Sequence, residues 1–427
     1  MLTFVLFLTF TVFSDIQQSI LQELVRTHGV LNLKLTRSML FQMFFSMYAC
    51  REQLALRHYD VKLLNFFVAE GSTILRSGAN RRSNGPLASC DLMEEVHSTS
   101  FSPQRMESFD VTMHVAFGDI DFALPFRSDA LEIVKLSDFG TSSVGTGSLG
   151  DPITVQQFTT LENTPPEYLI LGSSARQAYS ADTFCLGLSM LHLLSGYEPY
   201  EVLLEEVKCP QYLVEQLSKI WFEPSSSDVE NPYSPIFELV QSLDPGEEAE
   251  APGTVLFDTL YRYLILFSGR EDFWTSVPWT DNPVWGAVLD SLGIDSPVSS
   301  QISLKGKSRR GRRGLGEGSP TTRAEAVATF QHDRAQWSVH SGTHPTVVQV
   351  RTRLNDLGGD AARQLFDRLT HFDPARRCKM HDALLSPIFA PLRIHRPPNH
   401  EWSPSHTSYT AYRRPMEQGG TNALHTV

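Results

Sequence analysis

A short stretch of the sequence carries three side chains that together suit phosphoryl transfer. Asp60, Lys62 and Asn65 lie close together in His58-Tyr-Asp-Val-Lys-Leu-Leu-Asn65. The reaction needs a carboxylate that accepts a hydroxyl proton, a cation beside the transferred group and an oxygen ligand for Mg²⁺. A second oxygen ligand could come from Asp138, in the Asp138-Phe139-Gly140 sequence that follows an apolar segment. These residue types indicate magnesium-dependent transfer of phosphate.

Further groups of residues follow in a fixed order: Pro165-Pro166-Glu167, then Asp182 and Gly187 in an apolar segment, then Asp373-Pro-Ala-Arg-Arg377. The whole ordered series resembles the eukaryotic-type protein kinases, specifically their large C-terminal lobe. His58 to Asn65 resembles the H-R-D-x-K-x-x-N catalytic loop, Asp138 to Gly140 matches D-F-G, and Pro165 to Glu167 resembles A-P-E. The resemblance extends over roughly residues 14 to 392, with insertions.

The resemblance implies a role for each matching residue. Asp60 would be the catalytic base, Lys62 the cation that contacts the phosphate of ATP, and Asn65 and Asp138 the Mg²⁺ ligands. Structural roles would fall to His58, Gly140, Thr160, Glu167, Asp182 and Arg377. Glu167 would form a buried ion pair with Arg377, and Asp182 would hold the catalytic-loop backbone. Because lysine at position 62 is the choice of serine/threonine kinases, we expect transfer of the ATP γ-phosphoryl to a serine or threonine hydroxyl of a protein.

Two departures from the family pattern leave alternatives open. Tyr59 replaces the arginine with which family members bind an activation-loop phosphate, so activity should not depend on that contact. No Gly-rich loop and no V-A-I-K lysine precede His58, so the small ATP-covering lobe is expected to be missing or reduced. A catalytically inactive scaffold (a pseudokinase) and an N-terminally truncated sequence of an active kinase are therefore the alternatives to an active enzyme.

The elements that would position these residues follow from hydrophobic periodicity and predict a mainly helical, α+β large lobe. Helices are predicted over residues 15–29, 36–52, 181–195, 235–243, 255–267, 346–369 and 381–389, and strands over 111–117 and 131–136. The second helix is apolar on nearly every side, so we expect it to be buried. Long insertions are predicted at about 69–110 and 225–340, and a disordered tail at 393–427.

Composition limits the compartment and the partners. The chain is 41% apolar with a net charge of −12, which allows a sizeable core and gives no overall attraction to nucleic acid. The five cysteines are scattered and contain no C-x-x-C pair, so a reducing compartment, cytoplasm or nucleus, is expected. A basic run consists of Lys305, Lys307, Arg309, Arg310, Arg312 and Arg313. Its simplest interpretation is a solvated loop, and the alternative is a role in nuclear import or RNA contact.

The first thirteen residues are almost entirely apolar. They lack the basic region and the small-residue cleavage site of a signal peptide, and they fall short of the roughly 20 residues that cross a bilayer as a helix. Their Phe, Val and Thr content suits a buried strand, which could be a remnant of the hinge. We therefore expect no membrane partner, with a membrane anchor as the alternative.

Overall fold

The computed structural model describes residues 18–28, 31–70, 111–117, 120–126, 132–145, 150–152, 163–196, 207–222, 231–234, 254–295, 322–394, 410–413 and 425–426. This part of the chain is mainly helical, which confirms the predicted class. Thr160, the apolar residues 1–13, most of the predicted insertion at 69–110, the predicted helix at 235–243 and the basic run at 305–313 lie outside the described residues. Among the described helices, none combines the length and the apolar character needed to cross a membrane.

The helices are, in chain order, α1 (Leu21–His28), α2 (Leu33–Leu54), α3 (Pro166–Leu171), α4 (Tyr179–Ser195), α5 (Gln211–Phe222), α6 (Thr254–Phe267), α7 (Phe273–Ser276), α8 (Pro283–Ser291), α9 (Arg323–Trp337), α10 (Pro345–Gly358), α11 (Asp360–Leu369) and α12 (Met380–Leu384). The strands are β1 (Gln18–Ile20), β2 (Leu56–Arg57), β3 (Phe66–Glu70), β4 (Val111–Phe117), β5 (Ile120–Phe126), β6 (Glu132–Leu136), β7 (Ser143–Val144), β8 (Asp151–Pro152), β9 (Arg176–Gln177), β10 (Arg393–Ile394), β11 (Thr410–Arg413) and β12 (His425–Thr426).

The chain divides into two compact units. The first unit comprises Met1–Leu56, Leu63–Asp138 and Met380–Val427, and the second comprises Arg57–Lys62 and Phe139–Lys379. The residues that the kinase resemblance assigns to the catalytic centre are thus divided between them. Asp60 and Lys62 belong to the second unit, whereas Asn65 and Asp138 belong to the first.

Helix α2 is the core of the first unit. The side chain of Asn32 caps its start by accepting a hydrogen bond from the Lys34 amide, at 2.8 Å. The helix is buried along most of its length, as predicted, and packs against β6 and α12. Its polar Gln42 is also buried, and the Gln42 side-chain oxygen accepts a hydrogen bond from the Val134 amide of β6 at 2.9 Å. A buried polar group satisfied in this way fixes the helix against the strand.

Two antiparallel sheets complete the first unit. One has the order β1-β3-β6, with Phe66 of β3 opposite Leu136 of β6. The other has the order β10-β5-β4-β11-β12, and buried side chains of β4 and β5 (Val115, Phe117, Phe122 and Leu124) line its apolar interior. Phe122 contacts Phe41 of α2, with ring centroids 4.6 Å apart. This contact joins the second sheet to the helix.

Helix α4 is the centre of the second unit and is buried on every side from Ala181 to Ser195. It packs against α10 and α11, while α5 packs against α8 and α6 packs against α9. The aromatic ring of Phe184 contacts that of Tyr263 in α6, with centroids 5.2 Å apart. A helix that is apolar all round needs neighbours on all sides, and these helices provide them.

Three of the departures from the sequence-based elements lie in the first predicted helix, in the predicted helix over 346–369 and in the predicted tail. The predicted helix over 15–29 is wrong at residues 18–20, which form β1 and pair with β3; the helix begins at Leu21. The predicted single helix over 346–369 is wrong as well, because Gly359 takes a left-handed φ of 57° and separates α10 from α11. Residues 410–413, within the predicted disordered tail, form a strand that pairs with β4.

Candidate functional site

The loop that carries Asp60 is held by a carboxylate more than a hundred residues away in sequence. Asp182, in the first turn of α4, accepts hydrogen bonds from the backbone amides of His58, at 2.8 Å, and of Tyr59, at 2.7 Å. Burial raises the pKa of Asp182, and the electrostatic interaction with the His58 ring and the hydrogen bonds from the two amides oppose that rise. The carboxylate thus replaces water for two buried amides, which fixes the loop backbone.

Tyr59 has a left-handed backbone conformation, with φ at 66°. Such a conformation is costly for a bulky residue, so the surrounding contacts must hold it. The two hydrogen bonds that the backbone amides of His58 and Tyr59 donate to Asp182 provide this restraint on the backbone. The chain turns sharply at Tyr59 and brings Asp60 next to His58, whose Nδ1 accepts from the Asp60 amide at 3.4 Å.

Asp60 and Lys62 form an ion pair in this loop, with the Lys62 ammonium 2.9 Å from the Asp60 carboxylate. The Asp60 side chain is 5% exposed and that of Lys62 is 21% exposed. The structure therefore brings the predicted base and the predicted cation together within the second unit. A nearly buried carboxylate with a half-buried ammonium at its edge can accept a proton on one side and offer positive charge on the other.

Phe139 and Thr141, which also belong to the second unit, contact His58 of the loop. The ring of Phe139 packs edge-on against His58, with centroids 5.1 Å apart, and the Thr141 hydroxyl donates to the His58 carbonyl at 3.0 Å. Gly140 lies between them and is exposed. His58 is completely buried, and a structural role for it is what the kinase resemblance implies.

Asn65 and Asp138 lie at the same end of the β3–β6 pair in the first unit. Asn65 immediately precedes β3, and its backbone carbonyl accepts hydrogen bonds from the amide and the hydroxyl of Ser137, both at 2.9 Å. Asp138 follows directly, in a left-handed conformation with φ at 57°, and its side chain is exposed. The antiparallel register, with Phe66 opposite Leu136, thus places Asn65 and Asp138 at the same end of the two paired strands.

The side-chain oxygens of Asn65 and Asp138, at this end of the β3–β6 pair, are of the type that binds Mg²⁺. A side-chain amide and a carboxylate are hard ligands, and Mg²⁺ commonly takes only one or two ligands from protein and the rest from phosphates and water. Within the described residues, no group of three or more His, Cys, Asp or Glu side chains could hold a metal ion. Asn65 and Asp138 together would supply two oxygen ligands of this kind.

Glu167 and Arg377 form the ion pair that the resemblance implies. The guanidinium donates to both carboxylate oxygens, at 2.7 and 2.5 Å, and both side chains are buried. Arg377 also donates to the carbonyl oxygens of His371, at 2.7 Å, and Ser180, at 2.9 Å. The pair joins α3, the start of α4 and the chain after α11, all within the second unit.

Arg57 and Asp151, which were not among the candidates from the sequence, also support this loop. The Arg57 guanidinium lies 2.8 Å from the carboxylate of Asp151, and the hydroxyl of Tyr59 lies 2.8 Å from the same oxygen. No local pattern identifies Asp151, because its partners are 92 and 94 positions away. The one available signal was Tyr59 itself, which stands where the kinase resemblance would place an arginine.

No model of a known protein family matches the sequence, and no curated protein matches it either.

Proposed function

We propose that this chain transfers the γ-phosphoryl group of ATP to a serine or threonine hydroxyl of a protein substrate, within a fold like the large lobe of a protein kinase. The observation that carries this proposal is the buried Asp60 carboxylate paired with Lys62 in a loop held by Asp182. A carboxylate held this firmly in a strained loop, beside a partly exposed cation, has the features of a site that orients and deprotonates a hydroxyl.

Each residue of the loop has a defined task in this proposal. Asp60 hydrogen-bonds the substrate hydroxyl, aims its oxygen at the phosphorus and accepts its proton as the new O–P bond forms. Lys62 offers its ammonium to the oxygens of the transferred group, where negative charge accumulates. Asp182 acts on neither atom directly but keeps the loop backbone in place.

Asn65 and Asp138 would hold the metal in the same proposal. When bound, Mg·ATP supplies the phosphoryl group and the charge neutralisation that lets ADP leave. The amide oxygen of Asn65 and the carboxylate of Asp138 provide hard oxygen ligands, and the hydrogen bonds from Ser137 to the Asn65 carbonyl hold the two chain segments together.

The proposal includes a location in the cytoplasm or nucleus. Cys50, Cys185, Cys209 and Cys378 are buried and form no disulfide among the described residues, in keeping with a reducing compartment. ATP and intracellular protein substrates are available there.

Radiolabelled phosphate transfer tests the proposal. The purified chain, Mg²⁺, γ-labelled ATP and an array of serine- and threonine-containing peptides should give labelled peptide, and Asp60→Asn should lower the rate by about 10²–10⁴-fold. Asp272→Asn is the matched control, because Asp272 also pairs with a cation at 2.9 Å in the second unit but is exposed. A second measurement, Mg²⁺-dependent ATP binding, should be lost in Asp138→Asn.

The two measurements separate the alternatives. Binding of Mg·ATP without transfer would identify a pseudokinase scaffold. A chain that neither binds Mg·ATP nor transfers phosphate would reject the proposal, as would equal transfer by the wild type and by Asp60→Asn.

A further inference from the structure

The carboxylate of Asp151 is the meeting point of three donors. Arg57 and Tyr59 reach the same oxygen at 2.8 Å, and the side chain of Ser143 donates to Asp151 as well. Arg57 and Tyr59 flank His58 in the loop that carries Asp60, whereas Ser143 and Asp151 belong to the segment that follows Asp138-Phe139-Gly140. One side chain therefore connects two segments that are far apart in the sequence.

The Arg57 guanidinium gives this contact its strength. Its side chain is 1% exposed and lies over the ring of Tyr179, 5.2 Å from the ring centroid. A buried guanidinium needs an anionic partner, since removing such a partner leaves an uncompensated charge in the interior. Asp151 is that partner, with one edge of its carboxylate still in contact with solvent.

The hydroxyl of Tyr59 is suited to donate to this carboxylate. Burial, followed by the hydrogen bond to Asp151, raises the pKa of Tyr59, so the hydroxyl keeps its proton. Burial alone would raise the pKa of Asp151, but the hydrogen bonds from Tyr59, Ser143 and Arg57 outweigh it and lower that pKa overall. The carboxylate is therefore charged at neutral pH.

The backbone on either side of Asp151 is restrained too. Strand β8 pairs antiparallel with β9, and Asp151 lies opposite Gln177. Gly150 has a left-handed φ of 77°, and a Cβ atom there would lie 2.2 Å from the Gln177 carbonyl oxygen. Only glycine allows this close approach of the two backbones next to Asp151.

We propose that Asp151 is a positioning residue whose unmodified carboxylate holds residues 139–145 and 150–152 against the loop that carries Asp60. The segment is then ordered without phosphorylation, because a side chain present from synthesis supplies the anion. This inference rests on the proposed function for its effect on catalysis, but the attachment of the segment can be measured independently of any activity.

Hydrogen–deuterium exchange of the full chain measures that attachment. In Asp151→Asn, the amides of residues 139–145 and 150–152 should exchange about 10- to 100-fold faster than in the wild type, the range set by the loss of charge-assisted hydrogen bonds. Asp151→Glu, which keeps the charge, should restore slower exchange in part. Asp272→Asn should leave the segment unchanged, and phosphatase treatment of the wild type should do the same.

Phosphate transfer by the same variants measures the effect on catalysis. Asp151→Asn should raise the peptide KM or lower kcat by about tenfold or more, with Mg·ATP affinity within about twofold of the wild type. If Asp151→Asn does not fold, Tyr59→Phe removes a single hydroxyl and should change exchange in the same direction by a smaller factor.

The exchange and transfer measurements together distinguish a failure of this inference from a failure of the proposed function. Unchanged exchange in Asp151→Asn and in Tyr59→Phe would overturn the inference, and so would faster exchange with unchanged transfer, or release of the segment by phosphatase. A wild type that transfers no phosphate would reject the proposed function, and the exchange rates alone would then decide whether Asp151 holds the segment.

Discussion

Arg377 donates two hydrogen bonds to the carboxylate of Glu167, a residue 210 positions earlier in the chain. The pair lies beneath the start of α4, where Arg377 also contacts the ring of Phe184, 4.9 Å from its centroid. Two parallel hydrogen bonds between a guanidinium and a carboxylate are directional as well as attractive. The pair therefore specifies how α3 is oriented against the chain after α11. This buried ion pair therefore fixes α3 to the chain after α11 within the second unit.

Breaking this pair should destabilise the protein strongly. Arg377→Ala leaves the Glu167 carboxylate buried without its partner, and we expect a loss of about 3–5 kcal/mol in the free energy of unfolding, measured by denaturant titration. Arg376→Ala is the control, because the neighbouring side chain is 56% exposed and forms only a long surface pair with Asp373. Equal effects of the two substitutions would contradict the role assigned to Arg377.

Replacing the carboxylate of Asp182 should loosen the loop that carries Asp60. Asp182→Asn keeps one acceptor oxygen and turns an NH₂ group toward the other backbone amide, so one buried amide loses its acceptor. We expect a loss of about 1–3 kcal/mol in stability and a fall in phosphate transfer beyond what unfolding explains. Asp290→Asn, at a carboxylate that is 68% exposed, should change neither measurement. A fully active Asp182→Asn variant would show that the loop needs no such restraint.

Two glycine substitutions in helices should have opposite effects. A Cβ at Gly187 of α4 would lie 2.6 Å from the Thr370 side chain and 3.0 Å from that of Leu369, so Gly187→Ala should destabilise by about 1–3 kcal/mol through overpacking. A Cβ at Gly286 of α8 meets nothing within 4 Å, so Gly286→Ala should stabilise by about 0.5–1 kcal/mol through helix propensity. Thermal unfolding of both variants checks the pair, and a stabilising Gly187→Ala would refute the close contact between α4 and α11.

Acid should weaken the second unit through a buried histidine. Burial lowers the pKa of His192 from 6.5 to about 4, which means that the unfolded chain binds a proton at a higher pH than the folded one. Above pH 6.5 the imidazole is neutral in both states, and the free energy of unfolding has its full value. As pH falls toward 4, the unfolded chain is protonated first, so the free energy of unfolding falls by about 3 kcal/mol in total. Burial, with a smaller contribution from Arg270, lowers the pKa of His371 to about 4 as well and adds to the same loss.

The histidine prediction is checked by measuring unfolding free energy between pH 7 and pH 4. His192→Leu should reduce the slope of stability against pH relative to the wild type, because one buried histidine with a lowered pKa is removed. The exposed His332→Leu should leave the slope unchanged. A His192→Leu slope equal to that of the wild type would mean that the ring is not buried in its neutral form.

Strongly patterned elements could be predicted from the sequence. The helix expected over 36–52 is observed as Leu33–Leu54, and the strand expected over 131–136 as Glu132–Leu136, because long apolar or β-branched runs restrict the local choice. Strand β1 could not be predicted, since its residues suit a helix and become a strand only by pairing with β3. Strand β5 was missed for a similar reason: its partner β4 supplies the hydrogen bonds that outweigh its internal Pro125.

The same division applies to the candidate site. The order and spacing of His58 to Asn65, Asp138 to Gly140 and Pro165 to Glu167 depend on residue types alone, so the sequence was sufficient to identify them as candidates. The tertiary structure decided what holds the Asp60 loop: Asp182 on its backbone, and Asp151 on Arg57 and Tyr59. These partners lie 92 to 124 positions away, and which carboxylate meets which donor depends on how the intervening helices pack. Local patterns carry no information about that packing, and for this reason Asp151 emerged only from the folded chain.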